Sequence, residues 1–259
     1  SAISYLYYGQ RLVEIPQGMF AMAIATAALP SISEAVARGD RDAAKTLFRS
    51  GLRMALFVSL PSSALLIALG TPSVAVLFGR GAFGETAIVE TGRSLVAQAA
   101  GIWAVASIRT VVPLFHALND TRTPVVASGL NLVVFGATAF LLFPLYGHVG
   151  LACAITAAAA VQLAGLLLLL RHRVGPLGFR SLVRPVGSML VAAVGAGAAM
   201  AFVASFGDWR AGGNVPTNLG LFVLAALVGG GVYVGLAYAL GVDELRALLA
   251  AVKRKLGRR

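Results

Sequence analysis

The chain has 259 residues, of which 58% are hydrophobic and 12% charged, and its mean hydropathy is +0.85. A soluble domain carries roughly 25% charged residues, so this composition excludes an ordinary soluble fold and predicts an all-α, polytopic membrane protein. The net charge of +11 does not indicate a nucleic-acid partner, because the basic residues fall in short segments between apolar runs, as the topogenic charges of membrane proteins do.

The apolar runs predict seven transmembrane helices, since a helix needs about 20 apolar residues to cross a bilayer. They lie near 2–33, 48–70, 87–118, 123–144, 148–171, 182–206 and 218–241. A transmembrane barrel would instead show segments of about 10 residues with alternating hydrophobicity. The apolar segment 72–83 is too short to span, and we expect it to re-enter the membrane or to lie at its surface. The tail, 243–259, predicts a basic amphipathic helix on anionic membrane lipids.

The basic residues also predict the orientation of the chain. All but four of the 21 Lys and Arg residues fall on the same side of the seven crossings, the exceptions being Arg11, Arg80, Arg93 and Arg210. The positive-inside rule places that side, and with it the C-terminus, in the cytoplasm. Arg11 comes early and no signal peptide precedes it, so we expect the chain to be the later part of a longer protein.

Three prolines fall inside the first three predicted helices, at Pro16, Pro61 and Pro113. Proline removes a backbone hydrogen bond and bends a helix, which transporters use to line cavities. Membrane helices also tolerate proline without any such role, so both interpretations stay open for each residue.

The first helix carries a polar face within an apolar sequence. Tyr7, Arg11, Glu14 and Gly18 follow a helical spacing of i, i+4, i+7 and i+11, and Gln10 flanks them. This pattern predicts a hydrated cavity inside a helix bundle, and a guanidinium group there is well suited to bidentate phosphate binding. The alternative is that Arg11 extends to the outer headgroups and Glu14 only neutralises it.

Further polar residues lie within later helices. Arg109 is a second candidate for substrate binding, although extension of its side chain to the inner headgroups is the favoured interpretation. Gln98, Asn131 and Gln162 each stand alone in a helix, where hydrogen bonds between helices are their expected role. The sequence holds no P-loop, catalytic triad, metal-ligand set or nucleic-acid motif, so we predict no enzyme activity, metal or cofactor.

Two stretches resemble a known family. ISYLYYGQRLVEIPQGMFAMAIATAALPSIS, residues 3–33, strongly resembles the eighth transmembrane helix of the MurJ (MviN) lipid II flippases, and FHALNDTRTP, residues 115–124, resembles a turn of the same family. The resemblance covers the whole chain and matches helices eight to fourteen of fourteen. The family belongs to the multidrug/oligosaccharidyl-lipid/polysaccharide exporter superfamily.

The resemblance implies two six-helix lobes around a central cavity, with two extra helices that form a lipid groove. It divides this chain into 1–171, a five-helix bundle of the C-terminal lobe, 172–242, the two extra helices, and 243–259, the basic tail. The implied activity is transport of lipid II, the undecaprenyl-pyrophosphate-linked cell-wall precursor, across the bacterial cytoplasmic membrane by alternating access. The N-terminal lobe would be the missing partner of this chain.

The resemblance also implies site residues. Arg11 aligns with a cavity arginine thought to bind the pyrophosphate, and Glu14 aligns with an acidic residue of the same face. Gln10 stands where the family commonly has Asp, so a salt bridge from that position is lost. Tyr7 and Arg109, which the residue pattern indicates without the resemblance, complete the predicted substrate-binding set. Some relatives bind sodium through a carboxylate in the helix that matches 123–144, which holds no acidic residue here, so sodium coupling is not expected.

Other functions remain open at this point. A flippase of the same superfamily could carry a different lipid-linked oligosaccharide. A membrane glycosyltransferase or ligase acting on undecaprenyl substrates would need acidic residues at the membrane face, and the outer loops offer Glu85, Glu90 and Asp208. A third alternative is a scaffold that pairs with other cell-wall proteins.

Overall fold

The computed structural model describes residues 2–18, 22–81, 83–211 and 215–256, and this part of the chain is built of helices and connecting turns without a strand. The helices are α1 (Ala2–Pro16), α2 (Met22–Ala37), α3 (Arg41–Ala68), α4 (Gly70–Phe78), α5 (Glu85–Ala99), α6 (Ile102–Ala117), α7 (Arg122–Tyr146), α8 (His148–Val174), α9 (Arg180–Ala204), α10 (Pro216–Ala239) and α11 (Asp243–Leu256). The predicted all-α class is confirmed.

Five helices of the described chain, α3, α7, α8, α9 and α10, are long and apolar enough to cross a membrane. The bent pair of α5 and α6 adds a sixth span if it is counted as one. The chain is therefore a multi-pass membrane protein. The first predicted span, 2–33, corresponds to α1 and α2, and its continuity falls on residues 19–21, which lie outside the described residues. The count of seven crossings stays a prediction.

The predicted single helix over 87–118 is broken into α5 and α6, whose axes differ by 41°. The break is not at Pro113, which lies inside α6, but before Gly101. The amide of Gly101 donates to the carbonyl of Gln98, three residues back, at 3.0 Å. The carbonyl of Ala97 thus loses its usual helical donor, and the Thr156 hydroxyl of α8 donates to it at 2.8 Å. A side chain of α8 therefore replaces the backbone donor that the Ala97 carbonyl loses at the break.

The short apolar segment predicted over 72–83 forms α4, which follows α3 after Leu69. Nine residues are too few to span a membrane. Val74 and Ala75 are fully buried, and α4 packs against α5 and α10. Gly92 of α5 permits this approach, because a Cβ atom there would lie 2.6 Å from the Thr71 hydroxyl oxygen.

The core is centred on α3, which packs against α2, α6 and α9. Its largest fully buried side chains include Phe48, Phe115, Leu166 and Met189. By contrast, α7 packs mainly on α8 and leaves most of its apolar surface open, as at Phe140, which is 81% exposed. Such a surface suits contact with lipid tails, which are as apolar as the side chains themselves.

Salt bridges join segments that the sequence assigns to the same side of the membrane. Asp120, in the turn between α6 and α7, pairs with Arg173 at the end of α8 at 3.0 Å. On the other predicted side, Arg210 pairs with Glu85 at the start of α5 at 3.4 Å. Each of these two pairs thus joins segments that the charge pattern places on the same side of the membrane.

The turn between α6 and α7 is organised by Asp120. Its carboxylate accepts hydrogen bonds from the Thr123 hydroxyl at 2.7 Å and from the Thr123 amide at 3.0 Å. These bonds, together with the Arg173 guanidinium, hold the pKa of the Asp120 carboxyl below its ordinary value. Asn119 before it has a φ of +56°, a left-handed conformation that asparagine tolerates better than most residues.

Candidate functional site

The polar face of α1 is held together by contacts of Arg11. The hydroxyl oxygen of Tyr7 accepts hydrogen bonds from Arg11 Nη2 at 2.6 Å and from Arg11 Nε at 3.2 Å. The guanidinium carbon lies 5.0 Å from the centroid of the Tyr7 ring. On the next turn, Glu14 Oε2 lies 3.4 Å from Arg11 Nη1. Spacings of four and three residues bring these side chains onto one face.

This polar face points away from the part of the protein that the structure describes. The side chains of Arg11 and Glu14 are 57% and 49% exposed. On the opposite face, Leu12 and Val13 are buried in a core cluster shared with α5. A charged pair exposed to hydrocarbon would be strongly unfavourable, so the face requires either water or another part of the protein beside it.

Gln10 lies next to this face and is partly buried. Its side chain is an amide, so among the described residues Glu14 is the carboxylate that pairs with Arg11. The back of the helix is fixed to α5, where Gln98 Nε2 donates to the Leu6 carbonyl at 3.4 Å. The predicted role of Gln98 in a contact between helices is confirmed.

Arg109 does not take part in the contacts between Tyr7, Arg11 and Glu14. Its Nη1 donates instead to the backbone carbonyl of Gln17, at 2.5 Å. Gln17 lies in a π-helical turn directly after α1 and is buried. Arg109 therefore satisfies an acceptor at the end of the helix that carries the polar face, a contact that the sequence pattern did not indicate.

An apolar groove of about 970 Å³ runs between α9 on one wall and α3, α6 and α8 on the others. Its lining includes Leu56, Ile67, Trp103, Leu163 and Leu190. Among the described residues, α10 contributes none of the lining and packs on α9. The resemblance implied a groove formed by the two additional helices, which correspond to α9 and α10, whereas this groove lies between α9 and the helices of the preceding bundle. The lipid groove of the two additional helices stays a prediction.

The comparisons with known proteins identify the family. The family model described as "Lipid II flippase MurJ" matches residues 1–219. This chain belongs to the MurJ family. The resemblance found in the sequence is thus confirmed.

Relatives of this MurJ-family chain come from several bacteria. A probable lipid II flippase MurJ of Rhizobium meliloti is 31% identical over 98% of this chain and 48% of its own length. A lipid II flippase MurJ of Burkholderia cenocepacia is 30% identical over 93% of this chain and 47% of its own length. The chain therefore spans about half the length of these relatives.

A solved structure supports the fold. It is titled "Lipid II flippase MurJ, inward closed conformation", and it matches 93% of this chain and 48% of its own chain with a TM-score of 0.73 and 23% sequence identity. The helical bundle described above is therefore the fold of that structure's corresponding half.

Proposed function

We propose that this chain is the C-terminal portion of a flippase that moves lipid II from the inner to the outer leaflet of the bacterial cytoplasmic membrane by alternating access. The observation that carries the proposal is the exposed Arg11, paired with Tyr7 and Glu14 on the otherwise apolar helix α1. Membership of the MurJ family gives the substrate class, and the exposed guanidinium fits the pyrophosphate of that substrate.

Arg11 is assigned to the pyrophosphate. A guanidinium group has five N–H donors, and the contacts with Tyr7 and Glu14 leave donors free for phosphate oxygens. The Tyr7 hydroxyl orients the group without adding charge. Glu14 at 3.4 Å forms a loose pair that reduces the net positive charge without closing the site.

Gln10 and Arg109 have different parts in this proposal. Gln10 lies beside Arg11 and offers amide donors to the polar headgroup. Arg109 contributes through its bond to the Gln17 carbonyl, which holds the end of α1. The remaining cations of the site would come from the missing N-terminal lobe.

The apolar groove is proposed to hold the polyprenyl chain of the substrate. Its α3 wall runs from Leu52 to Ala68, which is about 24 Å at 1.5 Å per residue. One leaflet of a bilayer has a hydrocarbon thickness of only about 15 Å, so a groove of this length suits a chain longer than an ordinary acyl chain. In this assignment, 1–171 is the C-terminal lobe, 172–242 holds the two additional helices, of which α9 forms one wall of the groove, and 243–259 is a cytoplasmic tail on anionic lipids.

The test is complementation of a depletion strain by the full-length protein at matched membrane levels. Arg11→Ala should abolish growth, while Arg11→Lys should restore it only in part, because an ammonium keeps the charge but loses the two-pronged geometry. Arg38→Ala is the matched control, since Arg38 is also exposed and pairs with an acid, Glu34, one helical turn away at 2.7 Å. Growth of Arg11→Ala at the level of Arg38→Ala would refute the assignment of Arg11.

A further inference from the structure

A second, polar pocket of about 480 Å³ lies between α3, α9 and α11. Its polar lining consists mainly of Arg49, Arg53, Ser50, Ser181, Asp243 and Glu244. The pocket meets the apolar groove at Leu182, which lines both. An amphiphilic molecule could therefore place a polar group in the pocket and an apolar chain in the groove.

Arg53 is already engaged in this pocket. It pairs with Asp243 Oδ2 at 3.0 Å and with Glu244 Oε1 at 2.5 Å. These two contacts fasten α11 to α3 across 190 residues of sequence. The Glu244 side chain is 9% exposed and that of Asp243 is 70% exposed, so Asp243 is the carboxylate that a ligand in the pocket can reach.

Arg49 is a basic residue of this pocket whose charge is not neutralised by a described acidic residue. Its Nε donates to the Lys45 carbonyl at 3.3 Å and its Nη2 to the Thr46 hydroxyl at 3.1 Å. No salt bridge among the described residues includes it. The hydroxyl group of Ser50 lines the same pocket and can donate to an anion beside Arg49, whereas the Ser181 hydroxyl already donates to the Gly178 carbonyl at 2.8 Å.

The pocket holds both positive and negative side chains, which limits the kinds of ligand that it can bind. A pyrophosphate, with several negative charges, would face the carboxylates of Asp243 and Glu244. A phosphodiester carries a single negative charge, which Arg49 can balance, and an attached ammonium could pair with Asp243, whose side chain is 70% exposed. We propose that this pocket binds the zwitterionic headgroup of an amine-bearing phospholipid, whose acyl chain occupies the adjoining groove while the groove holds no substrate.

The test is native mass spectrometry of the purified full-length protein, titrated with phosphatidylethanolamine or phosphatidylglycerol. The wild type should retain phosphatidylethanolamine more strongly. Arg49→Gln should weaken this retention about tenfold, which corresponds to the loss of one hydrogen bond to a charged group. Arg41→Gln is the control, because Arg41 is exposed on the same helix but does not line the pocket.

A second variant tests whether the ammonium group of the lipid pairs with Asp243. Asp243→Asn removes the carboxylate and loosens the hold on Arg53, so the preference should shift toward phosphatidylglycerol. Equal retention of phosphatidylethanolamine by Arg49→Gln and Arg41→Gln, or a wild type that prefers phosphatidylglycerol, would overturn the proposal. Because lipid retention is measured without transport, these outcomes do not depend on the function of Arg11.

Discussion

The break between α5 and α6 makes a quantitative prediction about Gly101. An alanine Cβ at this position would lie 2.8 Å from Thr156 Oγ1, 3.2 Å from Thr156 Cα and 3.3 Å from Thr156 Cβ. Two of these three atoms cannot rotate away, so α8 has to shift. Overpacking of this kind costs about 1–3 kcal/mol, and we expect Gly101→Ala to lower the free energy of unfolding by that amount.

The matched control is Gly136→Ala in α7, where a Cβ atom would meet none of the described atoms within 4 Å. This variant should be neutral or more stable by up to about 1 kcal/mol, since alanine favours the helix. The free energy of unfolding of the full-length protein is measured in mixed micelles by far-UV circular dichroism. If Gly101→Ala and Gly136→Ala are equally stable, the close approach of α8 is not what fixes the break.

The effect of the hydrogen bond from Thr156 to the Ala97 carbonyl can be measured separately from the effect of packing. Thr156→Val keeps the shape of the side chain but removes the donor to the Ala97 carbonyl, which should cost about 0.6–1.7 kcal/mol. Thr156→Ser keeps the donor and should recover most of this loss. A serine variant as unstable as the valine variant would show that the methyl group, not the hydroxyl, supports the break.

Three further predictions concern distant parts of the chain. Tyr233→Phe removes the hydroxyl that donates to a carbonyl of α3 at 2.7 Å and should cost about 1 kcal/mol in the same unfolding assay, whereas Tyr238→Phe, at an exposed position, should not. In an otherwise cysteine-free full-length protein, an impermeant maleimide added outside should label a cysteine at Arg80 and not one at Asp42; labelling at Asp42 would reverse the proposed orientation. The lowered pKa of Asp120 means that its contribution to stability is complete above its ordinary value of 3.8 and is lost as the pH falls through the lower native value. Unfolding midpoints should therefore fall below pH 3.8 more steeply for the wild type than for Asp120→Asn.

The long spans were predictable because the membrane imposes a simple requirement on them. The predicted segments 123–144 and 148–171 correspond to α7 (Arg122–Tyr146) and α8 (His148–Val174) within three residues at each end. Lipid demands about 20 consecutive apolar residues, and turn residues such as Gly147 separate one run from the next. The same reasoning located α9 and α10.

The breaks were not predictable from such runs. The sequence offered Pro113 as a possible bend in the third predicted helix and left its simple tolerance as the alternative; α6 continues through Pro113, and the break comes before Gly101. The cause lies in another helix, because Thr156 both fills the space beside Gly101 and satisfies the Ala97 carbonyl. A local sequence pattern predicts the hydrogen bond that a proline removes. It does not predict a contact with a side chain from a distant part of the chain.

In the candidate site, too, some contacts were predictable from the sequence and others were not. Helical spacing alone places Tyr7, Arg11 and Glu14 together, since their contacts are all within one helix. The acceptor of Arg109 is a backbone carbonyl 92 residues away. Because every residue has such a carbonyl, the sequence does not indicate which one Arg109 contacts. Contacts within a helix follow from its period, whereas contacts between helices depend on the packing that brings them together.

Solvation explains why the two arginines differ. Arg109 reaches a buried carbonyl at the end of α1, so part of the cost of placing it in the membrane is offset by a hydrogen bond inside the bundle. Among the described residues, Arg11 has only exposed partners, which stabilise it weakly when they stand in water. A charged side chain that the described bundle neither buries nor needs for its packing is expected to have another use. This contrast, rather than the presence of arginine in a membrane helix, is the physical basis for our proposal that Arg11 binds the substrate and that Arg109 supports the helix that carries Arg11.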